Sequence, residues 1–128
     1  GVARRRRPSG CRDHFPVVSP QPLARNDVRW ADLGGDAGRR PVVVLTRDAA
    51  LAVLDSVTVA PVTRTIRGIR SEVRLGRHNG LPTECVVNCD HVMTIRTNRL
   101  DAERVGTLTL DQRGELDRAL RYSLDILS

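Results

Sequence analysis

A small, strongly bent β sheet or barrel, closed by one C-terminal helix, is the fold class this sequence predicts. Short β-branched segments recur at close intervals, separated by turn-rich stretches. One of them, Pro41-Val42-Val43-Val44-Leu45-Thr46, carries no charge until Arg47, and so short an apolar run reads as a strand buried on both faces. Near the end, Leu116, Leu120, Leu124 and Leu127 recur at helical spacing with Arg and Asp between them. A chain of 128 residues can bury one core, not two.

Residues 1–26 read as a disordered tail. They hold Arg4-Arg5-Arg6-Arg7 and the prolines Pro8, Pro16, Pro20 and Pro22, with too little apolar surface to offset the entropy of ordering. A folded domain over residues 27–128 follows. Val28-Arg29-Trp30-Ala31 reads as a first strand, leading into the loop Gly34-Gly35-Asp36-Ala37-Gly38. The Arg39–Thr46 run is next, with Pro41 at a strand start, where no ladder donor is needed. Asp48 is placed to N-cap a short helix over Ala49–Leu54. Val57–Val62 is rich in β-branched residues and reads as strand. The basic loop Thr63–Ser71 leads to Glu72-Val73-Arg74-Leu75, whose alternation leaves one face wet. After the turn-rich stretch Gly76–Pro82, Cys85–Asn88, Val92–Ile95 and Val105–Leu110 are the remaining strand candidates. Thr109 and Gln112 have capping-box spacing for the final helix, with Asp111 an alternative cap.

The charge pattern narrows the function. The net charge is +6 and the isoelectric point about 10.8, which favours an anionic partner. Eight arginines between Arg39 and Arg77 face only Asp48, Asp55 and Glu72, whereas the last 28 residues hold four arginines and six acids. That is the footprint of a nucleic-acid groove on one face of a small β domain. Aromatics are only Phe15, Trp30 and Tyr122, so a stacked-base platform is not written in the composition. No window is apolar enough to span a bilayer. Three cysteines give no disulfide framework, so a reducing cytosol is the default compartment.

No metal or nucleophile chemistry stands out. Cys85 and Cys89, with His78 and His91 nearby, lack the paired CxxC spacing of a zinc site and read as buried strand cysteines. There is no Ser-His-acid pattern, no phosphate loop and no carboxylate pair suited to two metals. What remains is Arg40 at one strand start and Thr63 at the end of the strand expected beside it, able to bracket one phosphate. RNA carries its own nucleophile, the 2′-hydroxyl. A protein that orients the phosphate and stabilises its added charge can cleave RNA without a metal.

Four blocks, in order, resemble one family. They are Asp27-Val28-Arg29-Trp30-Ala31-Asp32-Leu33, Arg40-Pro41-Val42-Val43-Val44-Leu45-Thr46, Val59-Ala60-Pro61-Val62-Thr63 and Asn88-Cys89-Asp90-His91. Together they resemble the MazF/PemK toxins of toxin–antitoxin pairs, over about Asp27 to Leu127. The resemblance implies an SH3-like small barrel with a C-terminal helix, mostly β with some α, and a homodimer. It implies a cytoplasmic, metal- and cofactor-independent endoribonuclease that cleaves messenger or transfer RNA, and a cognate antitoxin as partner. It also assigns the catalytic roles to Arg40 and Thr63. Arg39, Arg64, Arg67, Arg70, Asp90, His91 and Arg96 are then the candidate RNA-binding residues.

Three departures stand out. The family's opening Arg-Gly-Asp is Arg25-Asn26-Asp27 here, and Asn tolerates the left-handed backbone a glycine would use. The first loop is short and lacks the Ser-Glu of many members. Met93 stands where the family often has a substrate-binding arginine, which makes Arg96 the nearby substitute. Two other readings compete: a gyrase-poisoning toxin of the same fold, and a basic RNA-binding module without activity. The first would use an aromatic-containing C-terminal tail, and this chain ends Asp125-Ile126-Leu127-Ser128.

Overall fold

In the computed structural model, which describes residues 22–127, the sheet is laid out around β2 (Arg39–Val44). Val42, Val43 and Val44 are all fully buried. Alternation along the strand sends Val43 to one apolar cluster, with Val28, Ala60, Val87, Leu108 and Leu116. It sends Val42 and Val44 to a second cluster on the other face, with Ala31, Val57 and Val59. The unbroken apolar run is thus a strand covered on both sides, as its composition predicts.

The other strands are β1 (Asp27–Asp32), β3 (Ser56–Thr63), β4 (Glu72–Leu75), β5 (Cys85–Asn88), β6 (Met93–Arg96) and β7 (Gly106–Thr107). Their order is β4-β5-β3-β2-β1-β7, with β6 added on β3. All pairings are antiparallel. The long β3 changes partner along one edge. Ser56–Val59 pairs with β6, whereas Val62 and Thr63 pair with β5. Two partners sharing one edge fold the sheet over along β3, which gives the curled, barrel-like shape.

Helix α2 (Leu110–Ser123) covers the first cluster with Leu116 and Ala119. Its start is the expected capping box: Gln112 N–H donates to Thr109 Oγ1 at 3.2 Å, and Thr109 N–H donates to Gln112 Oε1 at 2.9 Å. This cap also ends the last strand early. The expected strand over 105–110 shrinks to Gly106–Thr107, because Leu108 turns into the core and Thr109 already starts the helix. The leucine stripe is shorter than its spacing suggests. Leu116 is buried and Leu120 packs against the cluster, but Leu124 and Leu127 lie past the helix and are exposed.

Two further expectations shift. The short helix α1 covers only Asp48–Leu51 and is preceded by Arg47, without a side-chain cap. Asp48 does not cap it. Its Oδ1 instead accepts the Arg25 N–H at 2.7 Å, a long-range bond that no local pattern encodes. Residues 22–26, assigned to the tail by composition, are tied to the fold: Leu23 packs on the second cluster, and Pro22 O accepts a bond from Arg29. The rest of the tail lies outside the described residues. Asn26 adopts φ +75, the left-handed turn expected where the family has glycine. Its N–H donates to Val44 O and its carbonyl accepts from Leu108 N–H, which joins β2 to the helix approach.

Candidate active site

Strand pairing brings the two predicted catalytic residues together. β2 and β3 pair Val44 with Val59, Val43 with Ala60 and Val42 with Pro61. Continued two residues further, the same register sets Arg40 opposite Thr63. Facing residues of an antiparallel pair share one sheet face, with Cβ atoms about 5 Å apart. The surface agrees: Arg40 and Thr63 both line a cleft of about 530 Å³ and both line a second cleft of about 220 Å³. They stand on the edge the two clefts share.

Neither group is saturated. Thr63 Oγ1 accepts the Thr65 N–H at 3.2 Å, which leaves its own hydroxyl proton for a ligand. Among the described residues no hydrogen bond or ion pair holds the Arg40 guanidinium. Its neighbour Arg39 is different. It too lines the larger cleft, beside Trp30, but its Nη2 donates to Asp101 Oδ2 at 2.7 Å and its guanidinium lies 5.9 Å from the Trp30 ring centre. Hydrogen bonding to Asp101 raises the Arg39 pKa further above its already basic range. One arginine is thus committed within the protein and the other is open.

The remaining predicted residues divide by place. Arg64 lines the larger cleft. Arg67 and His91 line the smaller one, with Glu72 and Asn88. The Glu72 carboxylate accepts the N–H groups of Arg67 and Gly68, each at 3.0 Å, and so fixes the loop after β3. Arg70 lines neither cleft; its guanidinium sits 4.4 Å over the Tyr122 ring on α2. Asp90 lines neither cleft. Its carboxylate accepts the Ser71 hydroxyl at 2.6 Å and the Ser123 hydroxyl at 2.9 Å. The Ser71 bond, then that from Ser123, holds this carboxyl below the usual carboxylate range. Arg96 faces Ser56 at the start of β3, with Asp55 at 3.9 Å. Seven residue steps along a strand, about 23 Å, separate that position from Thr63, so within one chain Arg96 does not reach the cleft.

Cys85 is buried in the wall of the larger cleft, and Cys89 is buried beneath the turn that carries His91. Burial raises both thiol pKa values, that of Cys89 to about 11. Among the described residues no group of three or more His, Cys, Asp or Glu could hold a metal, and no helix is long and apolar enough to cross a membrane. The sequence reading missed Trp30, Thr65, Thr83, Glu72 and Asn88 as cleft residues. Trp30 and Asn88 had signals to find them: Trp30 faces Pro41, the residue after Arg40, once β1 and β2 are set side by side, and Asn88 opens the block that ends in His91.

A curled antiparallel sheet closed by a C-terminal helix, with an open arginine facing a threonine at the junction of two clefts, defines a class of small half-barrel β proteins. Comparison with known proteins gives the family. Residues 24–124 match the model of the PemK-like, MazF-like toxins of type II toxin–antitoxin systems. The endoribonuclease MazF3 of Mycobacterium tuberculosis is 39% identical over 87 residues, covering 68% of this chain and 84% of that protein. The solved toxin MazF-mt6 of Mycobacterium tuberculosis superposes with a TM-score of 0.74 at 35% identity, covering 80% of this chain and 99% of that one. A MazE–MazF structure from Deinococcus radiodurans matches with a TM-score of 0.68 at 28% identity, over 84% and 99% of the two chains. The chain belongs to the PemK/MazF toxin family.

Proposed function

We propose that this toxin is a metal-independent endoribonuclease that cuts single-stranded RNA and so arrests translation. One observation carries the reading: Arg40, unpaired among the described residues, faces the open hydroxyl of Thr63 on the edge shared by two clefts. A scissile phosphate on that edge would leave one flanking nucleoside in each cleft. The 2′-oxygen attacks phosphorus as its proton leaves to a base, and the bond from phosphorus to the 5′-oxygen breaks. The products are a 2′,3′-cyclic phosphate and a 5′-hydroxyl, which takes up one proton.

Arg40 binds the non-bridging oxygens with its planar fork and neutralises charge as it grows. Thr63 donates its hydroxyl to the same phosphate. In the larger cleft, Trp30 supplies a flat face, with Pro41, Leu81 and Pro82 as an apolar wall. The toxin acts in the cytoplasm as a homodimer. A cognate antitoxin, acidic and partly apolar, covers the basic clefts, by analogy with the MazE–MazF structure above.

The test is cleavage of end-labelled RNA in excess EDTA, with fragment ends read by mass spectrometry. The expected products carry cyclic phosphate or its hydrolysed form. Activity that depends on added magnesium would overturn the metal-independent mechanism.

A further inference from the structure

At the end of the smaller cleft away from Arg40, Asn88, His91 and Arg67 offer a ligand hydrogen-bond donors. Asn88 Oδ1 accepts the Asp90 N–H at 3.0 Å, which fixes the orientation of the amide. Its Nδ2 group then faces His91 Nδ1 at 3.3 Å. An amide nitrogen cannot accept, so His91 Nδ1 is the acceptor and the ring proton sits on Nε2. His91 therefore presents Nε2–H, Asn88 keeps a second amide N–H, and Arg67 adds a guanidinium at the same cleft. The one carboxylate there, Glu72, turns Oε1 to the N–H groups of Arg67 and Gly68 at 3.0 Å, with Oε2 3.4 Å from the Arg67 nitrogen.

Bases differ in what they show to such a surface. Uracil and guanine carry a keto oxygen, O4 or O6, where cytosine and adenine carry an amino group. A keto oxygen meets this donor set well. An amino group meets donors with a donor and leaves both unpaired, which costs affinity. Given RNA cleavage at the Arg40–Thr63 edge, the geometry points to base selection in the smaller cleft: Asn88, His91 and Arg67 favour a uracil or guanine at one of the two nucleotides flanking the cut. The larger cleft, with Trp30, Pro41, Leu81 and Pro82 in its wall, holds the other base with less discrimination.

Asn88→Asp gives the sharpest test. The side chain keeps its shape and still accepts the Asp90 N–H, since Asp serves the same turn position as Asn. Its amide donors become an acceptor, and His91 then donates through Nδ1, so a neutral ring offers Nε2 as an acceptor too. Cut sites in a random-sequence RNA are mapped for the wild type and for Asn88→Asp. In parallel, binding is measured for oligoribonucleotides with a 2′-O-methyl group at the attacking sugar, which cannot be cut and differ only in the two flanking bases. The wild type is expected to favour uracil or guanine at one flanking position by about fivefold, and the variant to shift toward cytosine or adenine. If the variant no longer cuts, the binding ratios decide. Even base use by the wild type, or the same preference in both proteins, overturns the proposal while leaving the endoribonuclease reading intact. A wild type that cuts no RNA overturns that reading and this proposal with it.

Discussion

Arg39 and Arg40 differ by one position and by a complete change of circumstance. Arg39 donates to Asp101 and lies over Trp30, whereas Arg40 faces Thr63 and meets both clefts. Arg40→Lys keeps the charge but loses the two-pronged fork. If Arg40 stabilises the transition state, its loss should cost on the order of 3 kcal/mol, about a hundredfold in rate, with the circular dichroism unchanged. Thr63→Val keeps the β-branched shape and removes the hydroxyl, and a similar loss is expected. Arg39→Lys should chiefly alter RNA affinity. Cleavage rate and RNA binding measured side by side would separate these outcomes. An essential Arg39 beside a dispensable Arg40 would move the mechanism one residue along β2, to the arginine that borders the larger cleft alone.

At the scale of elements, one contact holds β7 and α2 to the turn before β5. Asn79 is fully buried and its amide pairs reciprocally with Gln112, at 2.6 and 3.2 Å. Its Nδ2 also donates to Thr107 O at 3.0 Å. The backbones there approach so closely that a Cβ on Gly106 would lie 2.1 Å from Asn79 O. Gly106→Ala must therefore push two backbone segments apart. A cost of about 3 kcal/mol is expected, a fall in Tm on the order of 10 °C by calorimetry. An unchanged Tm would show that this approach is looser than described.

The Asp90 clamp joins the turn before β4, the turn carrying His91, and α2. Its folded pKa is depressed, first by Ser71. Its stabilising effect is therefore complete above the unfolded carboxylate range and is lost as pH falls through the folded value. Asp90→Ala should lower stability near pH 7, and the gap to the wild type should narrow at a pH below the usual carboxylate range. Urea titrations at the two pH values would show it. A gap that widens in acid would contradict the clamp.

For the whole molecule, two outcomes are expected. Burial of Cys85 and Cys89, with the Cys89 thiol pushed up to about 11, should shield both from a thiol reagent near pH 8 in the folded protein. Both should react once guanidinium unfolds the chain, as peptide mapping would reveal; fast labelling of the folded protein would show that the core opens. The second outcome is a dimer by light scattering at micromolar concentration, and a monomer there would count against the assembly proposed above.

Several patterns that depend on near neighbours were legible in the sequence, though the leucine spacing overran the end of α2. The two-sided burial of β2 follows from its unbroken apolar run, the start of α2 from the Thr109–Gln112 spacing, and the left-handed turn from what Asn26 tolerates. The Arg40–Thr63 pair was legible through the family blocks and through strand ends alone. Features that depend on chain segments far apart were not. Asp48 looked like a cap because local spacing cannot show that the Arg25 N–H reaches it. Asp90 and Arg70 stand outside both clefts, engaged by Ser71, Ser123 and Tyr122, and composition cannot show those partners. Arg96 looked like a substitute for a missing arginine until the length of β3 set it at the far end of the strand. Hydrophobic periodicity and capping are local, so sequence determined the elements and the pair at their ends. Whether a charged side chain is open to a ligand depends on what the fold packs against it, and only the tertiary structure decided that.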